Sequence, residues 1–571
     1  MSITLPASTR RQSARQFVAF YRRSLGMAAA ALILTGGLTA RSVPIEISYI
    51  TASVRCYAPI QIYGDGFAPG KVEFLAASPA MDIPPEEMIK SIDKANISTP
   101  PTPPTNARPM EVISLTPQVA TVKALAGSGI GWEQKYAPVV VWTRNADGFS
   151  RPFVINRPQL YFLEQATAAP GQRLRFFGRD LVADDAPNPS TIKAHVFLRD
   201  AASGRVFEAR WGKYYDQQNH TNYQLRFEIL FEVPADTPDG EYQLWLHSGA
   251  GGWLGWCRAP LTLSVRRPAP PQKVFHAGKF GAVGDGVADD TVALQSAIEA
   301  ARKAGGGLVK LPAGVFAISS PLLLPSGVNL AGLGMERTSI QVVDHLPFSG
   351  EYRESTYTGY ALDFQPYERK AKLLPMIWVY SKSSISDLEL KAGHSVAYLM
   401  YTMVEGDGDF HDFTVDKCRL INTVSAFFTN ETLGYQPPKG GVIAGVSIWR
   451  RIRITNNMIR AVGLGSTHSE MTLGVISGND FEPPCRSFGT TGFCSIGGWR
   501  NLIENNIIRN SNRGMGGGPW GMQNQGENII ARNEVVNGGP NKGAAESFLV
   551  EFAGGAHDTW AGRVGQAGPD W

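Results

Sequence analysis

Ionisable residues recur in the last quarter of the chain, each shortly after an asparagine. His468 and Glu470 lie in THSEM, Arg513 lies in RGMGGGPWG, and Glu546 lies in AAESFLVEF. If THSEM is a strand, side-chain alternation places His468 and Glu470 on one face. If the segments occupy matching positions in stacked coils, all four side chains converge on one groove.

Two kinds of chemistry fit this set. Hydrolysis of a glycosidic bond needs two carboxyl groups, for which Glu470 and Glu546 are the candidates. Elimination from a uronate needs a base at C5 and a cation that neutralises the carboxylate, for which His468 or Arg513 would serve. The alternative is that these are ordinary polar residues of the coils. Trp520 and Arg500 are candidate substrate-binding residues near the same groove.

A second acidic stretch, EGDGDFHDF, contains Asp407, Asp409 and Asp412 together with His411. Carboxylate oxygens in a glycine-rich loop are suitable Ca²⁺ ligands, although the twelve-residue pattern of a dedicated calcium loop is absent. A solvated acidic turn is the alternative. Ca²⁺ is therefore the one candidate cofactor, and the sequence indicates no other.

The elements that must position these residues repeat along the chain. RIRITNNMIR, NLIENNIIRN and NIIARNEVVN resemble one another, and with ISGNDF they place Asn456, Asn479, Asn505 and Asn533 at intervals of 23, 26 and 28 residues. VDKCRL and ISDLEL extend this column to Lys417 and Asp387. Intervals near 25 residues are typical of one turn of a right-handed parallel β-helix. We interpret the asparagines as bend residues, because asparagine tolerates a left-handed backbone and its amides can stack.

A helix precedes these coils. Asp289 and Asp290 are predicted to cap it near Thr291, and Gly305 to end it. Leu294 and Ile298 lie on one apolar stripe. Since the first coil of a solenoid leaves an apolar end open, we expect this helix to cover it.

The region around this helix resembles the pectate-lyase superfamily. The resemblance rests on Phe280-Gly281-Ala282, Gly284-Asp285-Gly286, Asp289-Asp290-Thr291, Gly305-Gly306-Gly307 and Leu311-Pro312-Ala313-Gly314. It implies a right-handed β-helix and a polysaccharide partner. The catalytic residues of polygalacturonases do not transfer: Gly393-His394 is followed by serine, and Arg451-Ile452-Arg453 lacks the lysine.

The N-terminal half is predicted to be β-rich. Residues 43–158 and 159–265 contain short alternating strands between Gly/Pro turns, which favours two β-sandwiches. APGQRLRFFGRDL and VPADTPDGEYQLWLHSG resemble the immunoglobulin-like TIG modules. Residues 266–272 read as a proline-rich linker. The predicted fold class is all-β: two sandwiches, then a right-handed single-stranded β-helix over 273–571 with an N-terminal capping helix. The alternatives for its end are a short solenoid and one that is C-terminally incomplete.

Charge and the N-terminus limit the partners and the location. Residues 1–40 contain five arginines and no acid, and RRSLG precedes a short apolar run, which indicates an export signal. The rest of the chain is near neutral, which gives no case for nucleic acid. No later segment is apolar enough to span a membrane. We expect a periplasmic or extracellular polysaccharide lyase or glycoside hydrolase, or a non-catalytic carbohydrate-binding or adhesion protein; the oligomeric state stays open.

Overall fold

The computed structural model describes most of the chain between its two ends. The described residues are 47–50, 58–80, 82–95, 98–124, 136–183, 194–211, 226–267, 271–349, 354–360, 366–372, 375–392, 398–403, 409–422, 425–428, 448–461, 470–482, 492–495, 500–509, 513–516, 526–536, 548–551 and 557–561. The predicted export signal over residues 1–40 lies outside them.

The first N-terminal unit is an antiparallel sheet that folds over its own core. Its strands are Ile47–Ile50, Ile60–Gly64, Glu73–Ala77, Arg108–Leu115, Val119–Ala124, Val139–Asn145, Gly148–Phe149 and Phe153–Ile155. A short helix, Pro85–Met88, continues as a 3₁₀ helix, Ile89–Lys94. Ile62 and Val122 from one half of the sheet pack against Phe74 and Val141 from the other half.

The second unit is a sandwich of two sheets. Its strands are Gln159–Leu163, Thr167–Ala168, Arg173–Arg179, His195–Asp200, Val206–Glu208, Arg210–Trp211, Glu228–Glu232, Gly240–His247, Trp256–Arg258 and Leu263–Val265. Leu174, Phe176 and Phe231 of one sheet face Leu198 and Leu244 of the other sheet in a shared core. The alternation of apolar and polar residues along these strands produces this arrangement because every second side chain points inward.

The C-terminal half is a parallel β-helix, so the predicted all-β fold is confirmed. Its first long sheet contains Val274–His276, Gly307–Lys310, Val328–Ala331, Ser384–Ser386, Thr414–Asp416, Arg453–Thr455, Val475–Ser477, Leu502–Glu504, Gly526–Ala531 and His557–Ala561. Its second long sheet contains Asp285–Asp289, Gly314–Ala317, Thr338–Gln341, Glu389–Lys391, Arg419–Ile421, Met458–Arg460, Asp480–Phe481, Ile507–Arg509 and Glu534–Val536.

Shorter parallel sheets complete the coils. One contains Leu322–Leu324, Pro375–Val379, Tyr398–Thr402 and Ser425–Phe428; the next, called here the 409–472 sheet, contains Asp409–His411, Ile448–Arg450 and Glu470–Thr472; a third, the 492–551 sheet, contains Gly492–Ser495, Arg513–Gly516 and Phe548–Glu551. Glu354–Tyr360 and Pro366–Lys372 pair as an antiparallel hairpin.

Helix Thr291–Lys303 covers the start of the core, as predicted. Leu294 and Ile298 are fully buried against the first coils. The capping prediction is half correct. Asp289 accepts hydrogen bonds from the N–H and hydroxyl of Thr291, but Asp290 accepts from the backbone N–H groups of Val283 and Gly284 instead. Asp290 therefore fixes the turn before the helix.

The asparagine column is real but shifted by one residue in two coils. The stacked amides belong to Asn457, Asn479, Asn506 and Asn533, each Nδ2 donating to the next Oδ1 at 2.8–3.0 Å. Asn456 and Asn505 occupy the preceding position, where φ is 56° and 53°. The bend thus uses two adjacent residues, one left-handed and one laddered. The predicted alignment mixed the two columns, because either property favours asparagine.

The second N-terminal unit packs onto the first long sheet. Phe162 and Phe177 of that unit contact Val475, Leu502 and Ile529 of the β-helix in one buried cluster. On the polar side of this contact, Arg453 Nη1 donates to the carbonyl of Glu164 at 3.1 Å. This part of the first long sheet is covered by protein.

The two N-terminal units also contact each other. Met88 and Ile89 of the first unit pack against Phe197 and Trp256 of the second, and Trp253 joins this cluster. The tryptophans of GGWLGWC therefore serve in packing between the units. Among the described residues, the helices are too short or too polar to cross a bilayer.

Candidate functional site

The structure separates Glu470 from Arg513, two of the four residues that the sequence places in one groove. Glu470 opens strand Glu470–Thr472, whose backbone pairs with Ile448, whereas Arg513 opens Arg513–Gly516 and pairs with Phe548. These strands belong to different sheets, because Glu470 precedes the first long sheet in its coil and Arg513 follows the second long sheet in its own. Glu470 follows Asn456 by 14 residues and Arg513 follows Asn505 by 8, so a place shortly after an asparagine does not define the position around the coil. His468, Glu546 and Trp520 lie outside the described residues.

Arg500 occupies a corner before the first long sheet. Its φ is 59°, and its Nε lies 2.5 Å from Oε2 of Glu527, which occupies the same corner one coil later. A role in substrate binding would require this ion pair to open. The described contact is a link between two coils, and a role of Arg500 in substrate binding stays a prediction.

The 409–472 sheet carries a group of ionisable residues on its outer face. Phe410, Trp449 and Met471 are the central residues of its strands, and all three are buried. His411 and Arg450 are register partners in adjacent coils, on the opposite face from those buried residues. Arg450 is exposed, and His411 is partly exposed.

Two of the acidic candidates lie at register positions of the same sheet. Asp409 is in line with Ile448 and then with Glu470. Asp409 and Glu470, which the sequence assigned to separate sites, are thus two strands apart in one sheet. Strand spacing places their backbones about 9–10 Å apart.

His411 is held by Asp412, which is itself held by Arg451. Nδ1 of His411 lies 2.8 Å from Oδ2 of Asp412. Arg451, on the next coil, donates from Nε to Oδ1 at 2.6 Å and from Nη2 to Oδ2 at 2.8 Å. Asp412 and Arg451 occupy the same left-handed corner in successive coils, with φ of 56° and 54°, which stacks their side chains.

The charge state of Asp412 determines the tautomer of His411. Partial burial acts against the charged carboxylate, but the hydrogen bonds from Arg451 and His411 outweigh it and hold the pKa of Asp412 below its ordinary value. The pKa of Arg451 is raised by its hydrogen bonds to Asp412. An ionised carboxylate only accepts hydrogen bonds, so Nδ1 of His411 carries the proton and donates. When the ring is neutral, Nε2 is then the atom able to accept a proton.

The contacts of Asp412 bear on the predicted calcium site. Both its oxygens already accept hydrogen bonds from Arg451 or His411. A cation would have to replace Arg451, whose own charge opposes it. Asp407 and the side chain of Asp409 lie outside the described residues, so the calcium set is not assembled among the residues that are described.

The sequence predicted EGDGDFHDF as a candidate site but did not predict its neighbours Arg450 and Arg451. Arg450 and Arg451 lie in SIWRRIRI, where two consecutive arginines end a strand with a buried tryptophan. Trp449 as the inward residue assigns Arg450 to the outer face and Arg451 to the corner. That alternation was the available signal.

Comparisons with known proteins agree on the opening of the β-helix. Residues 274–365 match the family model described as "Rhamnogalacturonase A/epimerase, pectate lyase-like", which confirms the predicted resemblance to the pectate-lyase superfamily over this segment. The immunoglobulin-like TIG resemblance stays a prediction.

The relatives act on polysaccharides. Mannuronan C5-epimerase AlgE3 of Azotobacter vinelandii is 49% identical over 78 residues, covering 12% of this chain and 4% of that protein. Alginate lyase 7 of the same organism is 46% identical over 77 residues, covering 12% and 9%. The A-module of mannuronan C-5 epimerase AlgE4 aligns in structure with 46% of this chain and 75% of its own, at 19% identity and a TM-score of 0.22. The chain thus spans a small part of the curated relatives it matches.

Proposed function

We propose that this protein modifies a uronate-containing polysaccharide by removing the proton at C5 of a uronate unit, at the outer face of the 409–472 sheet. The observation that carries the proposal is the line from Arg451 through Asp412 to His411, with Arg450 beside His411 in register. The names of the relatives, a mannuronan C5-epimerase and an alginate lyase, support the same substrate class.

His411 is the proposed base. With Nδ1–H donated to Asp412, Nε2 takes the C5 proton, and the electron pair moves toward the uronate carboxylate. Asp412 stabilises the imidazolium that results, and Arg451 keeps Asp412 ionised. General base catalysis of this kind contributes on the order of 10²–10⁴-fold.

Arg450 is the proposed partner of the substrate carboxylate. Negative charge grows on that carboxylate as the proton leaves, and a fixed guanidinium near it stabilises the transition state. If the electron pair then forms a C4–C5 double bond while the C4–O4 bond breaks and O4 takes a proton from water, the reaction is a lyase elimination. If water instead gives a proton to C5 from the opposite face, the reaction is an epimerisation.

Hydrolysis is the second candidate. The backbones of Asp409 and Glu470 are about 9–10 Å apart along the sheet, two strands apart. Inverting glycoside hydrolases place two carboxyl groups about 6.5–9.5 Å apart, so that a water fits beside the bond. This pair would cleave without an unsaturated product.

Export is part of the proposal, since a polysaccharide of this class is met outside the cytoplasm. N-terminal sequencing of the protein recovered from the periplasm or medium tests it. A start near residue 41 supports export, and an intact Met1 in that fraction contradicts it.

The experiment is a polysaccharide panel of polymannuronate, alginate and polygalacturonate, incubated in D₂O. Absorbance of unsaturated uronates reports elimination, deuterium at C5 reports epimerisation, and reducing ends without absorbance report hydrolysis. We expect His411→Gln to lower C5 chemistry at least 100-fold. His345→Gln is the control, because His345 is exposed near the first coil and its Nε2 contacts only the carbonyl of Val287 among the contacts described.

Three results would overturn the proposal. His411→Gln at full activity would place the base elsewhere, and reducing ends alone would favour Asp409 and Glu470. Binding to the panel without any reaction would favour the non-catalytic alternative, a carbohydrate-binding or adhesion protein.

A further inference from the structure

A histidine and two glutamates meet where the two N-terminal units touch. Glu86 lies in helix Pro85–Met88 of the first unit, while His195 and Glu208 lie on adjacent antiparallel strands of the second. Nδ1 of His195 is 3.2 Å from Oε1 of Glu86 and 3.3 Å from Oε1 of Glu208. One donor atom from each of the three lies within 4.8 Å of the others.

Hydrogen bonds from His195 alone cannot satisfy the carboxylates of both Glu86 and Glu208. A single ring nitrogen carries at most one proton, so it can donate to one of the two carboxylate oxygens but not fully to both. An oxygen of the second carboxylate then lies within 4.8 Å of an oxygen of the first. A divalent cation bound to all three donor atoms removes this conflict, because the imidazole nitrogen and both oxygens become ligands of one positive charge.

The distances fit a zinc-type ion. Zinc bonds to histidine nitrogen and carboxylate oxygen of about 2.0–2.1 Å, at tetrahedral angles, place ligand atoms about 3.3 Å apart. The two nitrogen–oxygen distances, 3.2 and 3.3 Å, agree with this tetrahedral edge, and the third edge, between the two carboxylate oxygens, is at most 4.8 Å. Three protein ligands leave a fourth position for water.

The surroundings hold the donor atoms in place independently of any ion. The imidazole of His195 is nearly parallel to the ring of Phe197, with an interplanar angle of 10° and centroids 6.3 Å apart. Phe197 is buried with Met88 in the cluster between the units. Arg199 Nη1 donates to Asp93 Oδ1 at 2.8 Å and ties the same strand to the same helical segment. The two halves of the site are therefore fixed relative to each other.

We infer that Glu86, His195 and Glu208 form a binding site for a divalent transition-metal ion such as Zn²⁺, which joins the two N-terminal units. His195 would bind as neutral imidazole through Nδ1, and each glutamate through Oε1. The site is remote in sequence from the 409–472 sheet, and the inference does not depend on the proposed function.

The test uses the full-length chain after chelator treatment and dialysis, titrated with ZnCl₂ by calorimetry at neutral pH. We expect one Zn²⁺ per chain whose binding weakens at least tenfold in Glu86→Gln, Glu208→Gln and His195→Gln. Glu87→Gln is the matched control, since Glu87 is adjacent to Glu86 but pairs with Lys90 at 2.6 Å. Zn²⁺ should also raise the thermal midpoint of the wild type and of Glu87→Gln, and should not raise it in the other three.

Binding that is the same in all variants would overturn the inference, as would the absence of any Zn²⁺ binding by the wild type. If Glu86→Gln fails to fold, Glu208→Gln decides the matter, because Glu208 is exposed at the end of its strand. Equal thermal midpoints of metal-free wild type and variant exclude a merely structural effect.

Discussion

Arg175 of the second N-terminal unit binds both carboxylate oxygens of Glu504 in the β-helix, with Nη2–Oε1 and Nη1–Oε2 distances of 2.7 and 3.0 Å. Their side chains are only 14% and 1% exposed. Glu164 and Arg532 also contact this pair, at Arg175 and Glu504 respectively. The second unit is therefore fixed on the first long sheet by paired charges as well as by apolar contact.

Replacing Arg175 by methionine should destabilise the protein by about 3 kcal/mol, because removing one partner of a buried ion pair leaves the other charge under-compensated. Urea unfolding followed by circular dichroism measures this change. Arg173→Met is the control: Arg173 is two residues away on the same strand, and its pair with Glu232 is exposed, so its loss should cost less than about 1 kcal/mol. Equal effects of the two substitutions would refute a special role for the buried pair.

The same contact predicts a dependence on acid. Burial raises the pKa of Glu504, but Arg175 and Arg532 lower it more, so the folded pKa lies below the ordinary value. Stability from this group is complete above about pH 4.3, the unfolded value, and is lost as the pH falls through the folded pKa. Glu504→Gln should remove that part of the acid sensitivity, and an unchanged profile would contradict the assignment.

How much of the fold and of the candidate site the sequence predicts depends on how far apart in sequence the interacting residues are. The capping helix and the coil repeats follow from local patterns, and Leu294 and Ile298 are buried as predicted. The prediction of the asparagine ladder was correct at Asn479 and Asn533. It was displaced by one residue at the two Asn-Asn bends, where either asparagine suits either position. Local patterns do not distinguish two adjacent columns that favour the same residue type.

Apolar residues in the sequence mark the face of the first long sheet that the second N-terminal unit covers. Val475, Leu502 and Ile529 are apolar on the outward side of the first long sheet, where Ser384 and Thr414 are polar in earlier coils. Such a change indicates a partner but not which one. The contact with Phe162 and Phe177 joins residues far apart in sequence, and only tertiary structure reveals it.

The predicted grouping of Glu470 with Arg513 missed the sheet positions for a similar reason. Glu470 and Arg513 follow their asparagines by 14 and 8 residues and lie in different sheets. Asp409 and Glu470 are far apart in sequence because a long insertion separates their coils. They nevertheless lie two strands apart in one sheet. Turn lengths vary between coils, and position around the coil cannot be counted from the bend.

His247 should make the protein less stable in mild acid. It is buried, its Nε2 contacts the carbonyl of Gly252 at 2.9 Å, and its Nδ1 accepts from the N–H of Gly249 at 3.1 Å. Burial lowers its pKa to about 4. The unfolded chain, with a histidine pKa near 6.5, then binds the extra proton over the interval between these values. Stability from this group is complete above about pH 6.5 and falls toward pH 4, by up to about 1.4 kcal/mol per pH unit.

Urea unfolding at several pH values between 4 and 7 measures this slope. His247→Gln should flatten it, whatever its effect on absolute stability, whereas His345→Gln should leave it unchanged. A wild-type slope that persists in His247→Gln would assign the titration to another group.

The asparagine ladder can be tested by comparing two neighbours. Asn506 Oδ1 accepts from the backbone and side chain of Asn479, and its Nδ2 donates to Asn533 and to the carbonyl of Ile476. Asn506→Ala leaves several buried groups unpaired and should cost roughly 3 kcal/mol or more, at 1–3 kcal/mol for each group. Asn505→Gly removes the adjacent amide but keeps the left-handed backbone without strain, so it should cost about 1 kcal/mol or less. Thermal unfolding measures both, and a larger loss in Asn505→Gly would reverse our assignment of the two columns.

The last prediction concerns Arg451, which we propose as a positioning residue because it reaches His411 only through Asp412. Arg451→Met removes the cation that keeps Asp412 ionised, so the pKa of Asp412 should rise. When Asp412 is protonated, it no longer fixes the Nδ1–H tautomer of His411 that makes Nε2 the acceptor of the C5 proton, so activity is lost at the pH where Asp412 gains its proton. The acid limb of the pH–rate profile should therefore move to higher pH, and kcat should fall by roughly tenfold, with KM nearly unchanged.

Arg500→Met is the matched control for this change. Arg500 occupies the same corner in a later coil and forms the same kind of ion pair, with Glu527, among the described residues of that corner. Both substitutions should lower stability by a similar small amount, but only Arg451→Met should move the acid limb, and Arg451→Lys should restore part of it. If both arginine-to-methionine variants shift the profile equally, the effect comes from the corner and not from His411. If neither shifts it on a substrate that the wild type converts, His411 does not act as a base held by Asp412, and Asp409 and Glu470 become the residues to replace.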